Sequence, residues 1–364
     1  MNTLNIRGRE LALPAFLPDA TYGYVRSLTS ADLREVGVKA LMMNAFHLMQ
    51  KPGSSVIQSL GGLHTMAAWD SIIMTDSGGF QAYSLIRQNA KFGSLGENGI
   101  IFRPEASGRK LILTPEKSIQ LQFSYGADIL ICLDDCTHVD APIEEQQLSV
   151  SRTIQWAKRA KSAYESQLAS RKTNPDQRPL IFGVIQGGGY PQLRKTCAEA
   201  LLEIGFDGFG FGGWPLDEQS NLLTDILEYT RSVVPREFPI HALGIGHPVS
   251  VSACYRMGYA MFDCAMPTRD ARHGRLYTLS SASAVPGTGK DWFAFRYVND
   301  EKYMRSKEPV SPGCDCPACQ HYSLGYLSHL YRMQDSAYFR LATQHNLRFM
   351  TRLMEQLSDE PILS

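Results

Sequence analysis

The residues of this sequence best placed to do chemistry are a few carboxylates that follow apolar runs, and a tight group of thiols. In Met261-Phe262-Asp263-Cys264-Ala265-Met266-Pro267-Thr268-Arg269-Asp270-Ala271-Arg272-His273-Gly274, an apolar run ends on Asp263 and passes into what reads as a loop bearing Arg269, Arg272 and His273. A carboxylate there can attack or stabilise a cationic centre while arginines hold phosphates in fork geometry, which suits a phosphate-bearing substrate. On this stretch alone, an Asp neutralised by its own arginines is the simpler account. The pattern recurs, however. Ile72-Ile73-Met74-Thr75 leads to Asp76, and Ile129-Leu130-Ile131-Cys132-Leu133 leads to Asp134 and Asp135. Ile181-Phe182-Gly183-Val184-Ile185 leads to Gln186, and Phe209-Gly210-Phe211 leads to Gly212-Gly213. Any one of these acids reads as a turn or helix cap. Three or four acids and one amide, repeated at the same point of successive units, read as an active site.

The thiols lie in Cys314-Asp315-Cys316-Pro317-Ala318-Cys319, three of the 8 cysteines of the chain. In a reducing compartment such spacing points to a metal rather than disulfides. Tetrahedral zinc takes four ligands in a closed site, so one more is needed, and His321, His329 and His345 are candidates.

Elements that could position these groups follow from hydrophobic runs broken by turns. Strands end near Leu17, Met43, Met74, Leu133, Ile185, Gly212, Ile245 and Phe262, with helical character over 30–36, 115–125, 143–168, 190–204, 219–233 and 248–257. Eight alternating units predict an α/β fold, a (β/α)8 barrel, with an open doubly wound sheet as runner-up. In a barrel, the strand-to-helix junctions converge on one rim, where the acids fall. The 89–99 stretch, with glycines at 93, 96 and 99, reads as a mobile loop over that rim. Two motifs are declined. Gly208–Gly213 matches a dinucleotide fingerprint loosely, and the P-loop-like 285–291 has Ala284 for the first Gly and Asp291 for the Ser/Thr.

The 364 residues suffice for one large core, and the whole chain is expected to be a single barrel domain. With 36 basic and 36 acidic side chains, net charge is zero, so any nucleic-acid site must be a local patch. The N-terminus lacks a signal-peptide pattern and no apolar run approaches about 20 residues, which predicts a cytoplasmic protein away from membranes.

Several blocks together closely resemble the tRNA-guanine transglycosylases of bacterial type. They are Thr75-Asp76-Ser77-Gly78-Gly79-Phe80-Gln81, Asp134-Asp135-Cys136-Thr137, Gln186-Gly187-Gly188, Gly205 to Gly213, Met261 to Gly274, the three cysteines, and His345-Asn346-Leu347-Arg348. They occur in family order and spacing from about residue 14 to 355. The resemblance implies a (β/α)8 barrel with an inserted C-terminal zinc subdomain at about 290–350, holding one structural Zn2+ on Cys314, Cys316, Cys319 and His345. It implies exchange of guanine at the anticodon wobble position, G34 of tRNA with a GUN anticodon, for a 7-deazaguanine without cutting the strand. Asp263 would be the nucleophile at ribose C1′ and Asp76 the general acid/base at N9, the logic of a retaining glycosidase moved to a nucleoside. Asp134 would read the N1/N2 edge and Gln186 the O6, with the Gly213 amide nearby. Phe80 and Leu243 would cover the two faces of the base, and Arg269 and Arg272 would hold RNA phosphates. A homodimer is also implied.

This sequence departs from the family after Gly213. Relatives have Leu-Ala-Val-Gly-Glu, or small residues where the bulky base queuine is taken; here Trp214-Pro215-Leu216-Asp217-Glu218 stands. Proline removes an amide and restricts the backbone. Leu216 and Cys136 favour the small aminomethyl base preQ1, or its nitrile precursor preQ0, over queuine. Asp270 and His273 replace the usual Asn and lower the local positive charge. Other readings to separate are direct use of queuine, a DNA-acting paralogue, a non-catalytic RNA-binding subunit, and a barrel metallohydrolase. The intact Asp76, Asp134 and Asp263 argue against the subunit, and the lack of an early HxH pair argues against the hydrolase. A basic group at Lys302, Arg305 and Lys307 reads as a solvated surface cluster.

Overall fold

A computed structural model describes residues 3–103, 110–217, 219, 221–281 and 291–359. Most of the P-loop-like stretch, 285–290, lies outside the described residues.

The eight expected runs form β1 (Ala15–Pro18), β2 (Ala40–Asn44), β3 (Ile72–Asp76), β4 (Ile129–Ile131), β5 (Leu180–Ile185), β6 (Gly208–Phe211), β7 (Ile240–Ala242) and β8 (Met261–Cys264). All pair in parallel in the order β1-β8-β7-β6-β5-β4-β3-β2. The two ends of this sheet meet just beyond β1, where Asp19 pairs with Met42 and the Ala20 amide donates to the Met42 carbonyl at 2.7 Å. The sheet is thus curled into a (β/α)8 barrel.

Side chains alternate faces along a strand, and this sorts the barrel into two packed layers. Ala15, Leu17, Ala40, Met42, Ile72, Met74, Ile129, Ile131, Phe182, Val184 and Met261 fill the interior. Their neighbours of opposite parity, including Phe16, Leu41, Ile73, Leu130, Ile181, Phe209, Ile240 and Phe262, pack outward in the larger cluster shared with the helices. The bottom is plugged by the antiparallel hairpin Thr3–Ile6/Arg9–Ala12, whose Leu4, Ile6 and Leu11 join the interior cluster. Buried Asp128 ties plug to barrel, accepting from Arg9 at 3.0 Å and from the Ile73 amide at 2.9 Å. That carboxylate lies at the end opposite the rim and is structural.

Helices Pro115–Tyr125 and Pro248–Met257 form as expected. Others differ from the reading. Over 219–233 only Thr224–Ser232 is helical, because Leu216 pairs with Leu222 and the Asp217 side chain binds the Asn221 amide at 2.7 Å. Strand β7 ends at Ala242 rather than near Ile245, since Gly244 turns the chain with φ +76°. The 89–99 stretch contains a strand, not only loop: Gly93–Gly96 pairs with Gly99–Phe102, which pairs with Leu111–Leu113. Its Gly93 marks close strand approach, because a Cβ there would stand 2.1 Å from the Ile101 carbonyl oxygen. The supposed basic loop is a short helix, Met266–Arg272, with Pro267 in its first turn.

C-terminal to the barrel come the hairpin Arg275–Leu279/Phe293–Tyr297 and the helices Pro317–His321, Leu324–Arg332 and Ser336–Ser358. They share a small core of Leu276, Val298, Val310, Leu324, Leu327, Tyr338 and Ala342. The last helix returns to the barrel shell through Leu347, Met350 and Leu353. No helix among the described residues is long and apolar enough to cross a membrane.

Candidate active site

Continuing the interior parity of each strand past its apolar residues gives the rim: Asp19 after β1, Asn44 on β2, Asp76 on β3, Gln186 after β5, Gly212 after β6, and Asp263 on β8. The strands therefore place polar groups as the top layer of the same stack whose lower layers, His241 apart, are apolar.

Asp76 accepts from Asn44 Nδ2 at 2.6 Å and from the amides of Ala45 and Gly78 at 3.3 and 3.2 Å. Burial, reinforced by the charge of Asp263, pushes its pKa up to about 8 despite those donors. At neutral pH it holds a proton that it can give. Asp19 is also raised, chiefly by burial, against the hydrogen bond from Thr21. Asp263 has one oxygen fixed: Oδ1 accepts from the Gly244 amide at 3.0 Å and lies 2.9 Å from His241 Nε2. That last approach is at ion-pair distance but off the line of a hydrogen bond. Among the described residues no donor holds Oδ2.

Beside these, Gln186 Nε2 donates to Asp134 Oδ2 at 2.6 Å. Burial raises Asp134 to about 6 even so. Among the described residues Gln186 Oε1 is buried without a partner, an acceptor left for a donor from outside. Gly212 is required here, because a Cβ would stand 2.5 Å from Gln186 Nε2. Asp135 does not join the rim; it pairs with Arg152, and its amide donates to Thr153 Oγ1 at 3.1 Å. Phe80 stands exposed at the start of helix Gly79–Gln88 and stacks on Trp214 with centroids 5.8 Å apart and planes at 21°. Trp214 in turn stacks on His138 at 6.4 Å, so its side chain extends the aromatic surface of Phe80. Leu243 lies against Gly210, where a Cβ would meet its Cδ1 at 2.9 Å.

Arg269 and Arg272 share the short helix that follows β8. Arg269 is exposed. Arg272 donates to the Thr268 carbonyl at 2.9 Å, and partial burial with repulsion from Arg26 and Arg269 lowers its pKa. Asp270 is buried and neutralised by Arg275 at 3.1 Å, so it does not face these arginines as a free charge.

Away from the rim, Cys314, Cys316, Cys319 and His345 converge with all ligand atoms within 4.8 Å of one another. His345 Nδ1 stands 3.8, 3.4 and 3.4 Å from the three sulfurs, while its Nε2 bonds the Tyr277 carbonyl at 2.7 Å. Ligands of a tetrahedral zinc, at about 2.3 Å for sulfur and about 2.0 Å for nitrogen, stand about 3.5–3.8 Å apart, so the four groups fit a metal. His321 and His329 are not among them.

The sequence reading missed Asn44, Asp19, His241 and Arg194. Strand parity would have marked the first two. Arg194 is fully buried and donates to the carbonyls of Gly188, Ile185 and Gly212, clamping the two Gly-rich loops together. Its signal was its place on the apolar stripe with Cys197, Ala198 and Leu201.

The family model described as Queuine tRNA-ribosyltransferase matches residues 1–360. The queuine tRNA-ribosyltransferase of Psychrobacter cryohalolentis is 36% identical over 357 residues, 98% of this chain and 88% of that protein. The enzymes of the same name from Lysinibacillus sphaericus and Mannheimia succiniciproducens are 38% and 37% identical, over 95% and 94% of this chain and 84% of each relative. The chain belongs to the queuine tRNA-ribosyltransferase family, the pentosyltransferases also called tRNA-guanine transglycosylases.

Proposed function

We propose that this enzyme exchanges guanine at G34 of tRNA with a GUN anticodon for a 7-deazaguanine, preQ1 by preference, through a double displacement on Asp263. The reading is carried by the buried Asp76, whose pKa burial and the charge of Asp263 raise, and by Asp263 Oδ2, which no donor holds among the described residues. Oδ2 attacks C1′ as the bond to N9 breaks, and Asp76 delivers its proton to N9, so guanine leaves neutral. The strand is then held as a glycosyl ester of Asp263. When the new base enters, Asp76 takes its N9 proton, N9 attacks C1′, and the carboxylate is released. Inversion twice on one carbon retains the configuration.

Asp134, with a pKa of about 6, is ionised at neutral pH and can accept from N1–H and N2–H of the purine. Gln186, freed from Asp134 by the incoming base, then turns its amide toward O6, near the Gly213 amide. Phe80 and Leu243 cover the faces of the ring, and Arg269 and Arg272 hold phosphates. Leu216 and buried Cys136 favour a small 7-substituent.

The Cys314, Cys316, Cys319 and His345 set suits zinc, which would brace the C-terminal subdomain of a single-domain chain; a closed site offers no position for substrate. The chain is proposed to act in the cytoplasm as a homodimer. The decisive test is a denaturing gel of enzyme mixed with labelled tRNA. Wild type should show a covalent adduct and Asp263→Ala none. Exchange of labelled guanine by Asp263→Ala at the wild-type rate would overturn the assignment.

A further inference from the structure

We propose that His241 is a positioning residue for the nucleophile: its Nε2–H and the Gly244 amide together hold Asp263 Oδ1, which turns Oδ2 toward the anomeric carbon. The proposal rests on the reading of Asp263 as the nucleophile.

His241 lies on β7 between Ile240 and Ala242, both of which pack outward, so its imidazole points into the barrel. It is fully buried, in register with Gly210 and Met261, one layer below the rim. The other side chains of that interior are aliphatic, Met or Phe, with Gly208 and Gly210 on β6. A buried imidazole without hydrogen bonds costs about 1–3 kcal/mol relative to a satisfied one, and an apolar side chain of the same size would pack there without that cost. Packing alone therefore does not call for histidine. Among the described residues Nδ1 has no partner, and Nε2 has only Asp263 Oδ1 at 2.9 Å. A nitrogen lone pair that close to a carboxylate oxygen would be repelled, so the proton sits on Nε2 and faces Asp263. The contact is off line in the free enzyme. Contacts of this kind align when substrate draws the carboxylate into place. With Oδ1 held from two directions, the carboxylate loses its freedom to rotate, and Oδ2 remains as the attacking oxygen.

The test compares His241→Met, which fills the space without a donor, with His241→Gln, whose amide nitrogen can occupy the place of Nε2. Exchange rate at saturating tRNA, KM for tRNA, and the rate of adduct formation are measured for both and for wild type. Removing a group that orients a reacting or ligating side chain typically costs about 10- to 100-fold. His241→Met should lose that much in kcat and in adduct formation with KM for tRNA nearly unchanged, and His241→Gln should recover most of it. Wild-type kcat in His241→Met overturns the proposal, and so does equal loss in both variants. If His241→Met does not fold, the 15N spectrum of histidine-labelled wild type decides. Nε2 of His241, assigned by its absence in His241→Gln, must be protonated and must shift on Asp263→Asn; an unprotonated Nε2 refutes the proposal. Absence of any adduct in wild type would instead fault the reading of Asp263 and is visible in the same assay.

Discussion

Replacing Asp76 by Asn asks whether this carboxyl carries a proton in the free enzyme. Its pKa rises from 3.8 to about 8, through burial first and the charge of Asp263 second. The folded value lies above the unfolded one, so between the two the folded state binds the extra proton and stability falls as pH rises. Each pKa unit corresponds to about 1.4 kcal/mol, which sets a slope of about 1.4 kcal/mol per pH unit, flattening past about pH 8. The full span of about 6 kcal/mol is a ceiling, because water entering the rim would relieve part of the desolvation. Asparagine keeps the shape and an acceptor for the Ala45 and Gly78 amides but does not titrate. Denaturant unfolding of both proteins at several pH values should show the variant gaining on wild type by about 1.4 kcal/mol from pH 6 to 7, less toward 8, and nothing beyond about 9. Neighbouring acids cancel in this difference, since wild-type Asp76 is as neutral as Asn below its pKa. A difference that stays constant from pH 6 to 8 would show Asp76 ionised at neutral pH, and the acid role in the first displacement would fail with it.

Zinc should be found at one per chain, and Cys316→Ser should lose it together with melting temperature while the rim stays assembled. Metal-free protein purified without chelator, or a Cys316→Ser protein with unchanged metal content, would contradict the site. Arg269→Ala or Arg272→Ala should weaken tRNA binding and reduce the slope of log K against log salt by about one; unchanged slopes would move the phosphate site, with Lys302, Arg305 and Lys307 next in line. In a competition assay, labelled guanine in tRNA should be displaced by preQ1 more efficiently than by queuine. The reverse order would show that the Trp214-Pro215 segment opens a larger pocket than Leu216 suggests.

How much of this was legible in the sequence depends on the range of the interaction concerned. Apolar runs followed by Asp76, Asp134, Gln186 and Asp263 gave the barrel and its rim, because strand parity and the strand-to-loop junction are local properties. The three cysteines were legible for the same reason. His345 was one of three candidates on the residues alone, because its approach to the thiols depends on where the last helix packs. The glycines at 93, 96 and 99 read as loop, since a glycine that permits close strand approach looks the same in sequence as one that permits flexibility. The helix at Met266–Arg272 is too short to show a period. Arg194 and His241 are buried polar residues on apolar elements, and only the packed structure shows what they hold.

The environments of the rim acids also separate their roles. Asp134 at about 6 and Asp76 at about 8 differ although both are buried, because Gln186 donates a short bond to Asp134 while the charge of Asp263 opposes ionisation of Asp76. At neutral pH one is a carboxylate that can accept two purine N–H groups, and the other is an acid that can protonate a leaving nitrogen. Pairs of acids driven apart in this way mark binding and proton-transfer partners. Arg272 lines a pocket with Asp19 and lowers its pKa, but it is not among the main influences on Asp76. A guanidinium beside Asp76 itself would favour its charged form, lower it toward the ordinary carboxylate range, and remove the proton that the proposed first displacement needs. On the helix after β8, Arg269 and Arg272 can take the proposed RNA phosphates while Asp76 keeps its proton.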